Sequence, residues 1–313
     1  MPRALVFPGQ GSQFVGMGRE LAEAFPVARE LFEEVDAALG QPLRRLMLDG
    51  PEGDLTLTEN AQPALMAVSM AVVRVLEEQG KANVADIAKF VAGHSLGEYT
   101  ALAAGGALGV TEVAKLLRTR GRAMQDAVPV GEGAMAALIG LDLDVAEAVA
   151  EESRGAEVCS VANDNSPGQV VVSGHRHAVE RAVSLAGERG ARKTVMLPVS
   201  APFHCALMEP AAEVMSEALA AIDFARPAVP VVANVTAEPV SDPERIRELL
   251  VRQVTARVRW RECVLAIRDR GVDTFAEVGA GKVLSGLARR IDRGLTATSV
   301  GGPAEIEAFL EQL

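Results

Sequence analysis

The sequence predicts a mostly parallel α/β sheet, covered by helices on both faces, with a small α+β unit inserted into it. Three observations carry this prediction. Apolar runs of strand length alternate with helical periodicity over most of the 313 residues, the pattern of parallel strands joined by helical crossovers. About seventy residues from Gly131 onward depart from that rhythm and read β-α-β-β-α-β, the ferredoxin-like order. An apolar run from Ile87 to Ala92 leads through Gly93-His94-Ser95-Leu96-Gly97 into an Ala- and Leu-rich segment, which reads as strand, sharp turn and helix.

Taken in order, Ala4 to Phe7 is a short buried strand, followed by the loop Pro8-Gly9-Gln10-Gly11-Ser12-Gln13. From Gly9 this loop lacks the third glycine of a dinucleotide fingerprint. Leu21, Phe25, Ala28, Phe32 and Val35 give helical spacing over 19–39, with Gly40 as the stop. Residues 43–60 read as irregular, and Gln62 to Gln79 as a long apolar helix with Pro63 in its first turn. After the Gly-x-Ser-x-Gly turn, Glu98 to Leu108 and Thr111 to Gln125 are helices, the second capped by Thr111.

The inserted unit places strands at 134–141, 157–162, 169–173 and 193–197 and helices at 144–152 and 178–189. Asn163 to Gly168 is its expected internal turn, and Pro129 and Pro198 mark its edges. The expected division is therefore residues 1–128 with 199–313 as the large part and 129–198 as the insert. Beyond it lie a helix at 209–222, strands at 229–234 and 274–278, and helices at 242–253 and 285–291. Gly279-Ala280-Gly281-Lys282-Val283 resembles a phosphate loop but lacks its first glycine and its Ser or Thr.

Hydrophobic residues make up 49% of the chain and charged ones 23%, with a formal net charge of -11. That balance describes a globular protein and argues against a nucleic-acid partner. No apolar run is long enough to cross a membrane, and the amino terminus lacks the pattern of a signal peptide. Three widely spaced cysteines, Cys159, Cys205 and Cys263, fit a reduced, cytoplasmic chain without structural zinc.

In the Gly-x-Ser-x-Gly context the small flanking residues let strand and helix approach, and the serine is held at the sheet's carboxyl edge. This makes the core hydrolase-like. A serine hydroxyl needs a base within hydrogen-bond reach, and the chain has four histidines. His94 adjoins Ser95 and should point away from its hydroxyl, while His175 and His177 sit at a helix start in the insert. Elimination leaves His204. No acid between Ser95 and His204 sits at the end of a core strand, so a backbone carbonyl or a side-chain amide is expected to hold the imidazole, giving a dyad. Cys205 lacks the elbow context and reads as a small buried residue.

Five segments together resemble the malonyl-CoA:acyl carrier protein transacylase family. They are Phe7-Pro8-Gly9-Gln10-Gly11-Ser12-Gln13, Gly93-His94-Ser95-Leu96-Gly97-Glu98-Tyr99, Arg120-Gly121-Arg122-Ala123-Met124-Gln125, Pro202-Phe203-His204 and Glu277-Val278-Gly279. The resemblance implies that Ser95 is the acylated nucleophile with His204 as its base. It implies an oxyanion hole from the amides of Gln10 and Leu96, and a malonyl carboxylate on Arg120. The carbonyl of Gln253 would orient the histidine. Phe203 stands where related acyltransferases vary with the acyl unit, and an aromatic ring there fits malonyl over a branched unit. Ala280 stands where family members often carry proline.

Asn163 and Asn165 are candidates to offer amides to the pantetheine arm, and Lys193, Arg289 and Arg290 to meet an acidic carrier protein. Malonyl-CoA is then substrate, holo acyl carrier protein the acceptor, and no resident cofactor or metal is expected; the chain reads as a monomer. Three rivals remain at this level. A thioesterase or esterase would hand the acyl group to water, a stand-alone polyketide acyltransferase would use another carrier, and a docking scaffold would keep the fold without the chemistry.

Overall fold

The computed structural model describes residues 2–313. Among these described residues ten strands form two sheets: β1 Arg3–Phe7, β2 Phe90–Gly93, β3 Gly133–Ile139, β4 Cys159–Ser166, β5 Gln169–His175, β6 Lys193–Met196, β7 Val231–Val232, β8 Pro239–Val240, β9 Thr274–Val278 and β10 Thr296–Val300. The first sheet runs β10-β9-β1-β2-β7-β8. All its pairs are parallel except β7 with β8.

Both faces of that sheet are dry, and the side-chain period of two explains how. On β1, Leu5 and Phe7 enter a cluster with the long helix Thr58–Gly80, whereas Ala4 and Val6 enter a second cluster with Trp260, Ile267 and Leu287. The second sheet, β4-β5-β3-β6, is antiparallel throughout. In chain order that is 2-3-1-4, the ferredoxin-like arrangement, with helices Leu143–Arg154 and Arg176–Glu188 packed on one cluster of small apolar side chains.

Strand β4 is joined by main chain and by charge to the segment 258–261, whose Val258 and Trp260 pack on the first sheet. Val258 donates to Ala162 O at 2.8 Å and accepts from Asp164 N at 3.0 Å. The Asp164 carboxylate, 1% exposed, pairs with Arg261 at 2.9 Å.

Several local expectations change. The 19–39 segment is two helices, Arg19–Ala24 and Pro26–Leu39, because Pro26 has no N–H to continue the first and fits the first turn of the second. Residues 43–60 are not irregular: short helices cover Leu43–Asp49 and Glu52–Thr56. The long helix begins at Thr58, which puts Pro63 inside it rather than in its first turn. Gly109, not Thr111, caps helix Val110–Asp126, its amide held by the Glu112 carboxylate at 2.9 Å.

Asn163 to Ser166 belong to β4, leaving Pro167-Gly168 as the turn. Strands β8 and β10 and helices Trp260–Arg268 and Pro303–Leu310 are additions to the expected elements, although Trp260, Cys263, Val264 and Ile267 fall at helical spacing and Pro303 opens the last helix. Lys282, in the phosphate-loop lookalike, is ion-paired with Glu305 at 2.9 Å. Ala280 is buried between Gly279 and Gly281, both at positive φ, so glycines rather than proline shape that loop.

Candidate active site

Parallel strands deliver their loops to one edge of a sheet, and the site is assembled there. Gln10 follows β1, Ser95 follows β2 and Asn234 follows β7. Ser95 has φ 52 and ψ −111, a sparsely populated conformation costing about 1 to 3 kcal/mol that its surroundings must impose. The two glycines make the imposition possible. A Cβ on Gly93 would lie 1.9 Å from the Gly97 carbonyl, and one on Gly97 would lie 2.3 Å from the Phe7 carbonyl oxygen. Asn234 locks the turn, accepting from Ser95 N at 2.8 Å and donating to Gly93 O at 2.7 Å.

One run of donors passes through the serine. Arg120 Nη2 donates to Ser95 Oγ at 3.1 Å. Ser95 Oγ lies 2.8 Å from His204 Nε2, and His204 Nδ1 lies 2.8 Å from the Gln253 carbonyl oxygen. A carbonyl only accepts, so Nδ1 carries the proton and Nε2 offers its lone pair to the hydroxyl. His204 is buried with φ 59. Burial first, then the Arg120 charge, push its pKa down to about 3 against the pull of the Gln253 carbonyl. The imidazole is therefore neutral, the state a base requires.

Arg120 is 1% exposed. Its direct hydrogen-bond partners are neutral: Gln62 Oε1 at 2.8 Å, Gln253 Oε1 at 2.9 Å and the serine hydroxyl. Among the described residues its buried Nε has no partner, and the Tyr99 ring lies 5.6 Å from the guanidinium carbon. Burial lowers its pKa. A buried cation held only by neutral groups is short of an anion.

The Gln253 side chain is occupied at both ends, with Nε2 donating to Ser95 O at 3.0 Å and to Glu98 Oε2 at 2.8 Å. Glu98 also accepts from Asn234 N at 2.9 Å, and burial pushes its pKa up to about 7. Sequence reasoning assigned no role to Gln62, Glu98 or Asn234. Glu98 lay within the recognised elbow segment, while Gln62 and Asn234 carried no signal beyond a helix start and a strand end.

A cleft of about 750 Å³ opens over Ser95, lined by Gln10, Leu96, Arg120, Met135, Asn163, Leu197, Phe203 and His204 among others. Every predicted site residue except Gln253 and Asn165 lines it, and these two lie one contact behind. Among the described residues neither the Gln10 nor the Leu96 amide has a protein acceptor. Asn163 is buried at the cleft wall, on the strand that meets Val258. Asn165 Oδ1 receives His94 Nε2 at 2.8 Å, so the His94 ring turns to the second sheet.

His175 Nδ1 accepts from Val158 N at 2.9 Å, and His177 sits exposed beside Glu180. Cys205 is buried with its thiol on the Pro202 carbonyl at 3.1 Å. Lys193 is exposed; Arg289 donates to the Ala297 carbonyl and Arg290 to Gln169 Oε1 at 2.9 Å. Among the described residues no group of three His, Cys, Asp or Glu is placed to hold a metal, and no helix is long and apolar enough to cross a membrane.

Comparison with known proteins converges on one family. A family model described as acyl transferase domain matches residues 4–301. The chain is 44% identical over 311 residues to the malonyl CoA-acyl carrier protein transacylase of Bacillus subtilis (strain 168), covering 99% of this chain and 96% of that one. It is 46% identical over 309 residues to the enzyme of the same name from Escherichia coli (strain K12), covering 98% of each. Among solved structures, the acyl-carrier-protein-S-malonyltransferase from Bartonella henselae superposes with a TM-score of 0.97 at 56% identity, covering 100% of this chain and 99% of that one. A malonyl-transacylase solved in complex with a type II PKS acyl-carrier protein gives 0.96 at 44% identity, covering 100% of both chains. The mostly parallel sheet, the ferredoxin-like second sheet and these likenesses over nearly the whole length place the chain in the acyl transferase domain family, among the malonyl CoA-acyl carrier protein transacylases.

Proposed function

We propose that the chain transfers a malonyl group from CoA to the phosphopantetheine thiol of an acyl carrier protein through a malonyl-serine intermediate. The observation that carries this reading is Arg120, a buried cation with neutral partners and an unpartnered Nε, placed 3.1 Å from the serine oxygen. A guanidinium grips a carboxylate through parallel N–H bonds, which selects a dicarboxylic thioester over a neutral acyl chain.

Ser95 Oγ attacks the thioester carbon as its proton passes to His204 Nε2, and the Gln10 and Leu96 amides receive the developing oxyanion. The carbon–sulfur bond then breaks, the imidazolium returns the proton to the departing CoA sulfur, and malonate remains esterified to Ser95. The carrier's thiol repeats the sequence in reverse: it gives its proton to His204, attacks the ester carbon and releases Ser95 Oγ, which is reprotonated.

Phe203 bounds the acyl end of the cleft and Asn163 faces the pantetheine arm, while Asn165, held by His94 at 2.8 Å, acts from behind the cleft wall. In this reading residues 129–198 form the inserted small subdomain against 1–128 with 199–313, and the arm enters between them. Lys193, Arg289 and Arg290 meet the acidic carrier. The chain acts as a cytoplasmic monomer that keeps its cysteines reduced; all three are free and buried. The likeness to a transacylase solved with a type II PKS carrier also supports a polyketide carrier as acceptor, by the same chemistry.

Intact mass spectrometry after mixing with malonyl-CoA tests the core of this reading. A malonyl adduct is expected on the chain and absent from Ser95→Ala, and an adduct persisting on that variant would refute it. Free malonate released as fast without carrier protein as with it would identify a hydrolase instead.

A further inference from the structure

Among the described residues Arg120 has no hydrogen-bonded acidic partner, yet a carboxylate lies one amide away. Gln253 bridges the two, its Oε1 accepting from Arg120 Nη2 at 2.9 Å and its Nε2 donating to Glu98 Oε2 at 2.8 Å. Glu98 is 2% exposed and is fixed a second time by Asn234 N at 2.9 Å. We propose that Glu98 is a positioning residue that tunes the anion affinity of Arg120 through Gln253, offsetting the guanidinium charge without occupying its donors. This rests on the reading of Arg120 as the malonyl carboxylate site.

The arrangement has a physical logic. A direct ion pair would stabilise Arg120 and also fill the fork that the substrate must use. A carboxylate held one amide away lowers the cost of burying the cation while competing only at a distance with the incoming malonyl group. Affinity for malonyl then depends on the charge of Glu98: with the carboxylate ionised, the substrate anion is opposed, and with it neutral, Arg120 draws malonyl more strongly.

Few other groups facing Glu98 change charge near neutrality. Arg120, from the helix Val110–Asp126, stays cationic. Tyr99, on Glu98's own helix, is pushed up to about 12 by burial, and Cys263, from the helix Trp260–Arg268, is held well above its ordinary value by burial. His204, beyond Gln253, is pushed down to about 3. Glu98, pushed up to about 7 by burial, is the group that titrates in this window.

Calorimetric titration of malonyl-CoA and acetyl-CoA into Ser95→Ala, which cannot be acylated, tests the proposal. Malonyl-CoA is expected to bind about tenfold more tightly at pH 6 than at pH 8, the scale of one unit charge at a partly screened distance. Acetyl-CoA, with the same phosphates, should change little. Adding Glu98→Gln should remove the pH dependence and bring affinity at pH 8 to the level seen at pH 6. A merely structural role would instead weaken malonyl-CoA binding at every pH, and that result overturns the proposal. So does a malonyl-CoA affinity in Ser95→Ala that is flat between pH 6 and 8, a measurement that needs no substitution at 98.

Arg120→Gln in the same background separates the two levels. If it abolishes the preference for malonyl-CoA over acetyl-CoA while the pH dependence is missing, only the Glu98 proposal fails. If the preference survives, the reading of Arg120 fails and takes this proposal with it.

Discussion

His204 Nδ1 lies 2.8 Å from the backbone carbonyl oxygen of Gln253, so the imidazole is oriented by a main-chain atom that substitution at 253 leaves in place. The Gln253 side chain does something separate, joining Arg120 to Glu98 and to the Ser95 carbonyl. Gln253→Ala is therefore expected to keep the Ser95–His204 pair and to disturb Arg120. Leaving buried polar groups unpaired costs about 1 to 3 kcal/mol, or roughly fivefold to 150-fold in kcat/KM for malonyl-CoA, carried mainly by KM. Rapid-quench acylation at saturating malonyl-CoA checks this. A loss in the acylation rate as deep as that of His204→Ala would contradict the separation.

Gly97 admits no side chain, because a Cβ there meets the Phe7 carbonyl oxygen at 2.3 Å and a backbone oxygen has little freedom to retreat. Gly97→Ala should push the elbow helix away from β1 and relax the strained Ser95. An overpacked core site costs about 1 to 3 kcal/mol, and a lower melting temperature with loss of the malonyl adduct is expected. Retention of both would mean that helix and strand can separate more easily than their packing implies.

Asp164 and Arg261 hold the second sheet to the helix Trp260–Arg268 of the large part, with the carboxylate 1% and the guanidinium 29% exposed. Removing one partner of a buried pair costs about 3 to 5 kcal/mol, and partial solvation of Arg261 favours the lower end. Asp164→Ala should lower the urea midpoint accordingly. Asn163 and Asn165 flank it on the same strand, so weaker binding of malonyl-CoA at unchanged acylation rate is expected alongside. Unaltered stability would show that the main-chain link through Val258 suffices.

Two buried groups give opposite dependences on pH. His204 is lowered from 6.5 to about 3, so the unfolded chain takes up its proton first and stability is lost as pH falls below 6.5 toward 3. Glu98 is raised from 4.5 to about 7, so its contribution is present below 4.5 and is lost as pH rises through about 7. Denaturation of Glu98→Gln and the parent at several pH values should show the variant gaining relative stability between pH 5 and 8. Acylation at saturating malonyl-CoA should lose nothing to His204 protonation from pH 8 down to 5. An acid limb near 6.5 would show that the imidazole is better solvated than its burial indicates.

The elements that build the site were legible because they carry local signals. Gly93 and Gly97 around Ser95, the loop at Gln10 and the β-α-β-β-α-β order all follow from steric need or periodicity that a chain segment holds within itself. The break at Pro26 carries an equally local signal, a residue without an N–H that ends one helix and opens the next. Helix Leu43–Asp49 is made of strong helix formers and carries a propensity signal of its own, whereas Glu52–Thr56, with Gly53 and Asp54 inside it, depends on burying Leu55 beside the Thr58–Gly80 helix. β10 shows a weak alternation that its pairing with β9 turns into a strand.

What the sequence determined by itself is therefore the chemistry available: a serine on a forced turn, one histidine left after elimination, and an arginine within a recognisable segment. Tertiary structure decided how they act on one another. Ser95, Arg120, His204 and Gln253 lie on four separate segments, and only folding brings a carbonyl to the imidazole and leaves Arg120 among neutral partners. The environment of Glu98 is likewise a product of folding, because desolvation and the choice of hydrogen-bond partners come from residues distant in the chain.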